Sequence, residues 1–380
     1  MKLLHTSDWH LGMSYKGIDI SEDQKYFLSQ IYQIIKDEKI DVVLHGGDVF
    51  DRKNAPVEAY NLYDEAVTKI CGDLETDMVV VAGNHDSPER LSACNVLLRK
   101  TGLYVEGILS KEFPKVEYDD VEIFMLPWFN TEQVKYLFPE DQENIQSMQD
   151  AFKVVLDHIK DHFTSNKKHI LVSHAFIMDA DLSESDRAAS IGYASAVSKD
   201  LFEGFDYVAL GHIHAPQSIT KTVRYSGTPM MYSFGKEESQ EKSVTIIDTD
   251  DMEVKIVPIK LLHKRKTFKG HYDDIINHDY TEEELNAYVR VEIDDVYAGL
   301  TIQSELRSKF KNLLELTSPS FDNEDSYITM TIDELEEKSK DPIEIFKSFY
   351  TDVMKTELED EHVLDLFNTA LSQYEKGEDL

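Results

Sequence analysis

The sequence predicts an α/β protein with two sheets at its core, a smaller α+β unit after them and helices at the C-terminal end. Three observations lead to this prediction. Strands and helices alternate at the N-terminal end, the pattern then becomes mostly β, and a short strand–helix–strand series follows. Alternating strands and helices are typical of a mainly parallel, buried sheet. We expect a second, more antiparallel sheet to pack on the first, which makes a two-sheet α/β sandwich.

The first sheet is predicted from short apolar runs, each followed by a helical pattern. The predicted strands are residues 2–4, 42–44 and 78–81. The helices that follow them are residues 22–38, 56–71 and 88–100, with Ser21 and Ser87 as N-cap residues and Pro56 at a helix start. Phe27, Leu28 and Ile31 recur at helical spacing, which gives the first helix an apolar face.

The middle of the chain adds a hairpin, a long helix and several more strands. Residues 115–118 and 121–125 bracket the turn pair Asp119-Asp120, and residues 141–163 read as a helix. Apolar strands are predicted at residues 170–172 and 207–210. The more antiparallel sheet is expected from residues 217–222, 223–226, 243–248 and 254–259.

A basic and turn-rich stretch predicts a domain boundary after residue 262. We expect the core domain to span residues 1–262, a linker 263–280, an α+β capping domain 281–335 and an acidic helical tail 336–380. Within the capping domain, the pattern predicts a strand at 288–293, a helix at 302–316 and a strand at 327–332.

The charge limits what the chain binds by itself. The 380 residues carry a net charge of −34, and residues 271–380 alone carry −20 from 29 acidic and 9 basic residues. Nucleic-acid binders are usually basic. A polyanionic substrate must therefore be held by metal ions, by local basic patches or by a partner. No apolar run approaches the roughly 20 residues of a membrane helix, and two cysteines without metal or redox spacing indicate a reduced, cytoplasmic chain.

Five short polar motifs follow predicted strands. They are Asp8-Trp9-His10, Gly47-Asp48-Val49-Phe50-Asp51, Gly83-Asn84-His85-Asp86, Ser173-His174 and Gly211-His212-Ile213-His214. Functional side chains of an open α/β sheet lie beyond the carboxyl ends of its strands. Pooling Asp, Asn and His at that edge predicts a site for two hydrolytic divalent ions.

Each residue type suits a role in such a site. Asp8 and His10 are two residues apart on a strand and so point to one face. The carboxylate of Asp48 can bridge two cations, and Asn84 offers a neutral carbonyl oxygen. His85 is better suited to donating a proton, because imidazole titrates near neutrality. His174, His212 and His214 add imidazole ligands.

These motifs, with Tyr225-Ser226-Gly227-Thr228-Pro229, resemble the SbcD nuclease branch of the calcineurin-like metallophosphoesterases over roughly the first 235 residues. The resemblance implies that one ion takes Asp8, His10, Asp48 and His214, and that the other takes Asp48, Asn84, His174 and His212. His85 would protonate or stabilise the leaving oxygen, and a carboxylate at Asp51 would orient His85. Mixed oxygen and nitrogen ligands favour Mn²⁺. Mg²⁺, which prefers fewer imidazoles, Zn²⁺ and Fe are the alternatives.

The resemblance also implies function and partners. The family cleaves DNA as a double-strand exonuclease and a hairpin or single-strand endonuclease. It works with the coiled-coil ATPase SbcC in DNA repair, recombination and replication, which places it in the cytoplasm at the nucleoid. Helices 56–71 and 88–100 would form a homodimer. The tail at 342–374 would dock on the ATPase, or else close its own domain. Gly192 and Gly204 form no phosphate loop, so this chain should bind no ATP.

Two other functions remain open from the residues alone. A phosphodiesterase for a cyclic nucleotide or another small molecule would use the same site without needing the last 110 residues. A non-catalytic scaffold would not need a complete ligand set or His85. We expect no chemical role for the acidic stretch from Met178 to Asp186, which reads as a solvated loop near the site, or for His158 and His162.

Overall fold

The structure, a computed structural model, describes residues 1–15, 17–183, 186, 195–319, 327–331, 347 and 363–364. The chain divides into two units: Met1–Ser14 with Asp19–Arg265, and Tyr15–Ile18 with Lys266–Leu380. Most of the predicted acidic tail lies outside the described residues. Among the helices that are described, none has the length and apolarity needed to cross a bilayer.

Most strands of the first unit coincide with predicted apolar runs, but Ser14–Tyr15, Ile18–Asp19 and Leu103–Glu106 were not predicted. In chain order they are β1 (Lys2–Thr6), β2 (Ser14–Tyr15), β3 (Ile18–Asp19), β4 (Val42–His45), β5 (Asp77–Val81), β6 (Leu103–Glu106), β7 (Lys115–Glu117), β8 (Val121–Leu126), β9 (Lys168–His174), β10 (Tyr207–Gly211), β11 (Gln217–Ser218), β12 (Val223–Tyr225), β13 (Ser243–Asp248) and β14 (Glu253–Pro258). β2 and β3 pair as a two-stranded ribbon that includes Tyr15 and Ile18 of the second unit.

The other strands form two six-stranded sheets. The first has the order β14-β13-β1-β4-β5-β6, and the second has the order β11-β12-β10-β9-β8-β7. In the first sheet β1, β4, β5 and β6 are parallel, whereas β13 and β14 add an antiparallel edge. In the second sheet β8, β9, β10 and β12 are parallel.

The strand partners correct one expectation. The predicted strands after residue 214 do not make an antiparallel sheet of their own. β13 and β14 extend the first sheet, and β12 continues the parallel second sheet. Short apolar runs carry no information about their partners, and the partners decide the direction of pairing.

The two sheets pack face to face, and alternation along each strand divides the core. Ile170 and Val172 of β9 lie in the core between the sheets, together with Leu3 and Val79 of the first sheet. Leu171, between them, lies in the other core, beneath the helices of the second sheet. Since both faces are covered, these strands read as continuous apolar runs.

The helices of this unit are α1 (Ser21–Glu38), α2 (Val57–Val67), α3 (Pro88–Leu91), α4 (Asn95–Leu98), α5 (Thr131–Leu137) and α6 (Met148–Asp161). The predicted helix 88–100 is broken, because α3 ends at Leu91 and Cys94, which has the left-handed φ of 61°, precedes α4. The helix predicted at 141–163 begins only at Met148, where Ser147 and Asp150 form a capping box.

The second unit has a four-stranded sheet in the order β15-β16-β17-β18, with β15 (Arg265–Gly270), β16 (Tyr288–Ile293), β17 (Leu313–Pro319) and β18 (Tyr327–Thr331). Val289, Val291 and Leu316 belong to its core, which the helix Leu300–Lys309 helps to form through Leu306.

Two predictions for this unit are wrong. Residues 263–280 are not a bare linker, because they contain β15 and the helix Tyr272–Asn277. The helix predicted at 302–316 ends at Lys309, and residues 313–319 form a strand. Leu313–Pro319 pairs in parallel with β16 and antiparallel with β18, and this pairing overrides the helical pattern.

Candidate metal centre

The polar strand ends converge on one cavity in the first unit. The cavity has a volume of about 130 Å³ and is lined by His10, Met13, Asp48, Asp51, Asn84, His85, Asp186, His212, His214 and Tyr232. Asp8 and His174 lie just beneath it, each within 1% of complete burial. All nine site residues predicted from the sequence are therefore brought together, although they come from five separate strand ends.

The backbone at these strand ends is held in an unusual conformation. Asp8, His10, Asp48 and His212 have φ of 53°, 43°, 53° and 102°, four of the ten positive values at non-glycine residues in the described part of the chain. Such values cost free energy and persist only where the surrounding structure enforces them. This backbone conformation changes the direction of each side chain at the point where its strand ends.

Glycine is needed where the loops press together. Gly47 has φ 98°, and a Cβ atom there would lie 2.6 Å from Nδ1 of His174. A Cβ atom on Gly83 would collide with the carboxylate of Asp48. The glycines in front of Asp48 and Asn84 thus allow the two loops to meet.

His174 directs an unprotonated nitrogen, Nε2, toward the centre. Its Nδ1 lies 2.9 Å from the carbonyl oxygen of Gly46, which only accepts hydrogen bonds, so Nδ1 carries the proton. Nε2 then has a lone pair, yet it faces Asn84 Oδ1 at 2.9 Å and Asp48 Oδ2 at 3.4 Å. Oxygen and nitrogen atoms grouped in this way are suited to holding a cation between them.

His212 completes this first group. Its Nδ1 lies 3.1 Å from Asn84 Oδ1 and 3.2 Å from His174 Nε2. Burial, followed by the nearby His174, lowers the pKa of His212 to about 3, and burial also lowers the pKa of His174. Both rings are therefore neutral, as metal ligands must be.

Asp8, His10 and His214 form a second group. One ligand atom from each lies within 4.8 Å of the others, and Nε2 of His10 is 3.2 Å from Nε2 of His214. Nδ1 of His10 is buried without a hydrogen-bond partner. Burial and then the Asp48 carboxylate raise the pKa of Asp8 well above its usual value, an effect that a divalent cation would offset.

Asp48 lies between the two groups. Its Oδ2 is 3.4 Å from Nε2 of His174 and 3.8 Å from Nε2 of His10, and its Oδ1 accepts the backbone N–H of His85 at 2.9 Å. Burial raises the pKa of this carboxyl, but the neighbouring histidines and the His85 N–H outweigh burial and lower it. The donor set fits two divalent cations that share one carboxylate.

His85 contacts Asp51 through the main chain. Nδ1 of His85 lies 2.7 Å from the carbonyl oxygen of Asp51 and donates to it. The sequence predicted a contact with the carboxylate instead. That carboxylate is 3.8 Å from Nδ1 of His10, and it forms a close group with His10 and His85. Burial lowers the pKa of His85, but Asp48 and the Asp51 carbonyl outweigh burial and raise it.

Two acidic residues of the site were missed. Asp86 is buried and accepts the backbone N–H groups of Gly83, Val49 and Phe50 at 2.9, 3.2 and 2.9 Å, which ties two loops of the centre together. Its place directly after His85 could have identified it. Asp186 was expected in a solvated loop, but it is 3% exposed and its Oδ1 accepts the backbone N–H of His214 at 3.0 Å. No pattern singled it out.

A buried ion pair under His214 was also missed. Lys242 and Glu237 have fully buried side chains, with Nζ 3.0 Å from Oε2. Nζ of Lys242 also donates to the carbonyl oxygen of His214 at 3.1 Å, and Oε1 of Glu237 is 3.9 Å from Nδ1 of His214. Nearby, the Tyr232 hydroxyl donates to the carbonyl oxygen of Trp9 at 2.5 Å. These residues support His10 and His214 from below.

Comparisons with known proteins agree with this geometry. Residues 1–216 match the family model described as calcineurin-like phosphoesterase, which covers all five motifs. The chain is 30% identical to the SbcD subunit of the nuclease SbcCD from Staphylococcus epidermidis, over 98% of this chain and 100% of that protein.

Two solved structures are more distant. The protein TT1561 of Thermus thermophilus has a TM-score of 0.39 and 10% identity, covering 68% of this chain and 99% of its own. A dimetal phosphatase from Danio rerio has a TM-score of 0.36 and 12% identity, covering 59% of this chain and 86% of its own. At these TM-scores neither structure carries weight. The family model and the full-length relative do, and by them the chain belongs to the calcineurin-like phosphoesterases and, among these, to the SbcD nuclease subunit family.

Proposed function

We propose that this chain is a metal-dependent DNA nuclease that hydrolyses phosphodiesters with two divalent ions. The observation that supports this best is the meeting of Asp48, Asn84 and His174, where Nε2 of His174 faces Asn84 Oδ1 at 2.9 Å and Asp48 Oδ2 at 3.4 Å. The 30% identity to a nuclease subunit over nearly the whole chain supports DNA as the substrate. On this proposal the chain acts as a double-strand exonuclease and as a hairpin or single-strand endonuclease.

The proposed ligands fall into two sets. One ion takes Asp8, His10, Asp48 and His214, and the other takes Asp48, Asn84, His174 and His212. Three carboxylate or amide residues with four imidazoles favour Mn²⁺, which accepts both ligand types, with Mg²⁺ as the alternative. Two divalent ions at this position would activate water and stabilise charge on the phosphate in an in-line displacement.

The other residues position the reaction and supply a proton. His85 lines the cavity, and because its Nδ1–H is engaged by the Asp51 carbonyl, the protonated ring has only its Nε2–H to give. The raised pKa of His85 favours that protonated form. As the bond from phosphorus to the leaving oxygen breaks, Nε2 delivers its proton to that oxygen. Asp51 acts here as a positioning residue through its carbonyl group.

The partners follow from charge and family. A chain with net charge −34 needs help to hold DNA, and the relative is named as one subunit of SbcCD. We propose that an SbcC-type coiled-coil ATPase supplies the DNA grip and the ATP-driven gating, in the cytoplasm at the nucleoid. The complex would serve DNA repair, recombination and replication.

A second copy of the chain is the other proposed partner. Val57 on α2, and Val96 and Leu97 on α4, are 68%, 77% and 64% exposed. Exposed aliphatic side chains of this kind can mark an interface when they form one patch. We propose that the segments 56–71 and 88–100 form the homodimer contact.

The remaining regions are assigned by order along the chain. We propose that residues 1–262 carry out the nuclease reaction, that 281–335 cap it, and that the acidic tail 336–380 docks on the ATPase. Deleting residues 340–380 should then abolish binding to the ATPase and spare metal-dependent hydrolysis of a small phosphodiester. Unchanged complex formation would favour a tail that only closes its own domain.

One assay tests the proposed function directly. The full chain is supplied with Mn²⁺ and given blunt duplex DNA, hairpin DNA or a cyclic nucleotide, each with and without the ATPase partner. Cleavage of the DNA substrates is the expected result. Hydrolysis of the cyclic nucleotide alone would identify a small-molecule phosphodiesterase, and a purified chain that binds no divalent metal would point to a scaffold.

A further inference from the structure

The loop after Asp51 carries positive charge to the edge of the metal centre. Arg52 and Lys53 directly follow Asp51, which lines the cavity, and both are exposed. Arg52 is close enough to act on the Asp51 carboxyl. Burial raises the pKa of that carboxyl overall, and His85 and Arg52 lower it. In this acidic molecule, two exposed cationic residues therefore directly follow a residue that lines the cavity.

A third cation braces this loop from the neighbouring one. Arg90, on α3, donates from Nη1 to the side-chain oxygen of Asn54 at 2.8 Å and to the carbonyl oxygen of Lys53 at 3.3 Å. The other end of the loop is anchored by the backbone hydrogen bond from Asp51 to Leu11 at 3.2 Å. The loop backbone is thus held at both ends.

These three cations form no ion pair in the described part of the chain. Within the described residues, Arg52, Lys53 and Arg90 have no carboxylate within salt-bridge distance, whereas Lys115, Lys153, Lys199 and Lys236 are each paired. Arg90 uses its contacts on neutral oxygens only. Unpaired cations beside a phosphodiesterase cavity are available for an anionic substrate.

We propose that Arg52, Lys53 and Arg90 form a phosphate-binding rim, which holds the sugar–phosphate backbone of a nucleic acid next to the phosphodiester that is cut. The inference rests on the proposed nuclease function and adds the residues that grip the substrate outside the metal centre. Contacts to phosphates carry no base information, so the rim serves any sequence. A small diester that reaches only the metal ions does not touch it.

The test exploits the release of counterions from DNA. The double variant Arg52→Gln/Lys53→Gln and the single variant Arg90→Gln are compared with wild type in Mn²⁺. Log(kcat/KM) for a duplex DNA is followed against log[KCl] between about 50 and 200 mM, and bis(p-nitrophenyl) phosphate is the second substrate. The matched control is Lys36→Gln/Lys221→Gln. Both lysines are exposed, and they precede β4 and β12 at the opposite edge of the sheets.

The expected slope change is specific. Removing one phosphate-binding cation makes the negative slope shallower by roughly 0.9. The slope should therefore become shallower by about 1.8 for the double variant and by about 0.9 for Arg90→Gln. At the lower salt concentration the double variant should lose at least about tenfold more activity on DNA than on the small diester. The control variant should keep the wild-type slope.

The outcomes separate this inference from the proposed function. A wild-type chain that hydrolyses the small diester and leaves DNA uncut would refute the nuclease function and the rim together. A wild-type chain that cuts DNA, with variants of unchanged slope, would refute the rim alone. Equal losses on the two substrates would also refute it, since a general defect of the centre acts on both. Thermal melting of each variant confirms that it is folded.

Discussion

Nδ1 of His85 donates to the backbone carbonyl oxygen of Asp51 at a distance of 2.7 Å. The orientation of the proposed proton donor therefore depends on the path of the main chain at residue 51 and not on the side chain there. Any residue that keeps this backbone path keeps the hydrogen bond. The Asp51 carboxylate contributes only its charge. It raises the pKa of His85, but by less than Asp48 and the Asp51 carbonyl do.

This relationship predicts unequal effects for two substitutions. His85→Ala should reduce turnover about 10²–10⁴-fold, the range for loss of a general acid, and should retain both metal ions. Asp51→Ala should reduce turnover by less than about tenfold, because the carbonyl oxygen remains. Metal analysis and hydrolysis of bis(p-nitrophenyl) phosphate by each variant measure both effects. Loss of metal from His85→Ala would mean that His85 is a ligand, and equal losses of turnover would mean that the carboxylate orients the ring.

Asp48 should control both metal positions at once. Asp48→Ala removes a carboxylate that lies within 4 Å of both His10 and His174. We therefore expect this variant to bind neither ion, while His214→Ala and His174→Ala each lose one. Metal content per chain after dialysis against Mn²⁺ gives the stoichiometry. A full complement of metal in Asp48→Ala would exclude a bridging role.

Removing one partner of the buried ion pair near His214 should lower the stability of the fold. Lys242→Met leaves the Glu237 carboxylate buried without its cation, which should lower the free energy of unfolding by about 3–5 kcal/mol. The double variant Glu237→Gln/Lys242→Met removes both charges and should lose less. Urea denaturation measures each value. As a control, Lys153→Met breaks an exposed pair with Asp157 and should have no measurable effect. A single variant that is no less stable than the double would show that the pair is not coupled.

Glu122 should make stability depend on pH in the acid range. Its buried carboxylate accepts from Lys115 Nζ at 2.6 Å and from the Thr164 N–H at 3.1 Å. Burial raises the pKa of Glu122, but these hydrogen bonds outweigh burial and lower it to about 2. A lowered pKa stabilises the fold above the unfolded value of about 4.5, and this stabilisation is lost as the pH falls towards 2.

Glu122→Gln should therefore lower the free energy of unfolding by about 2–3 kcal/mol at pH 7. The difference from wild type should shrink below a pH of about 4.5. Urea titrations at several pH values between about 3 and 7 would reveal it. A difference that stays constant over this range would mean that the pKa of Glu122 is the same in the folded and unfolded states.

The proposed homodimer can be tested at α4. Val96→Asp/Leu97→Asp puts two charges on side chains that are 77% and 64% exposed in the single chain, so folding should be unaffected. Desolvating those charges in an interface would be costly, and the dimer should dissociate. Sedimentation velocity at micromolar concentration compares the variant with wild type. A wild-type chain that sediments as a monomer would refute the interface outright.

The sequence was sufficient to predict that the proposed ligands lie together, because each follows an apolar strand. Asp8, Asp48, Asn84 and His174 each lie within a few residues of a buried run whose end the pattern locates. Parallel strands then bring their carboxyl ends to one edge. The local pattern was also sufficient for β16, whose bounds of Tyr288–Ile293 were predicted correctly.

Other features depend on contacts between distant segments. The sequence did not identify Glu237 and Lys242, because a buried ion pair in a loop has the same composition as a solvated one. Asp186 was assigned to a solvated loop for the same reason. The strand Leu313–Pro319 was predicted as part of a helix, since its apolar residues fit both periods until β16 and β18 pair with it.

The left-handed backbone at Asp8, His10, Asp48 and His212 restricts how this protein can change. Glycine is the residue that adopts such angles at no steric cost, yet glycine has neither carboxylate nor imidazole. Substitutions that would relax these four positions are therefore the ones that remove the chemistry. Under selection for thermal stability alone, substitutions in these loops would raise the stability and abolish catalysis at the same time.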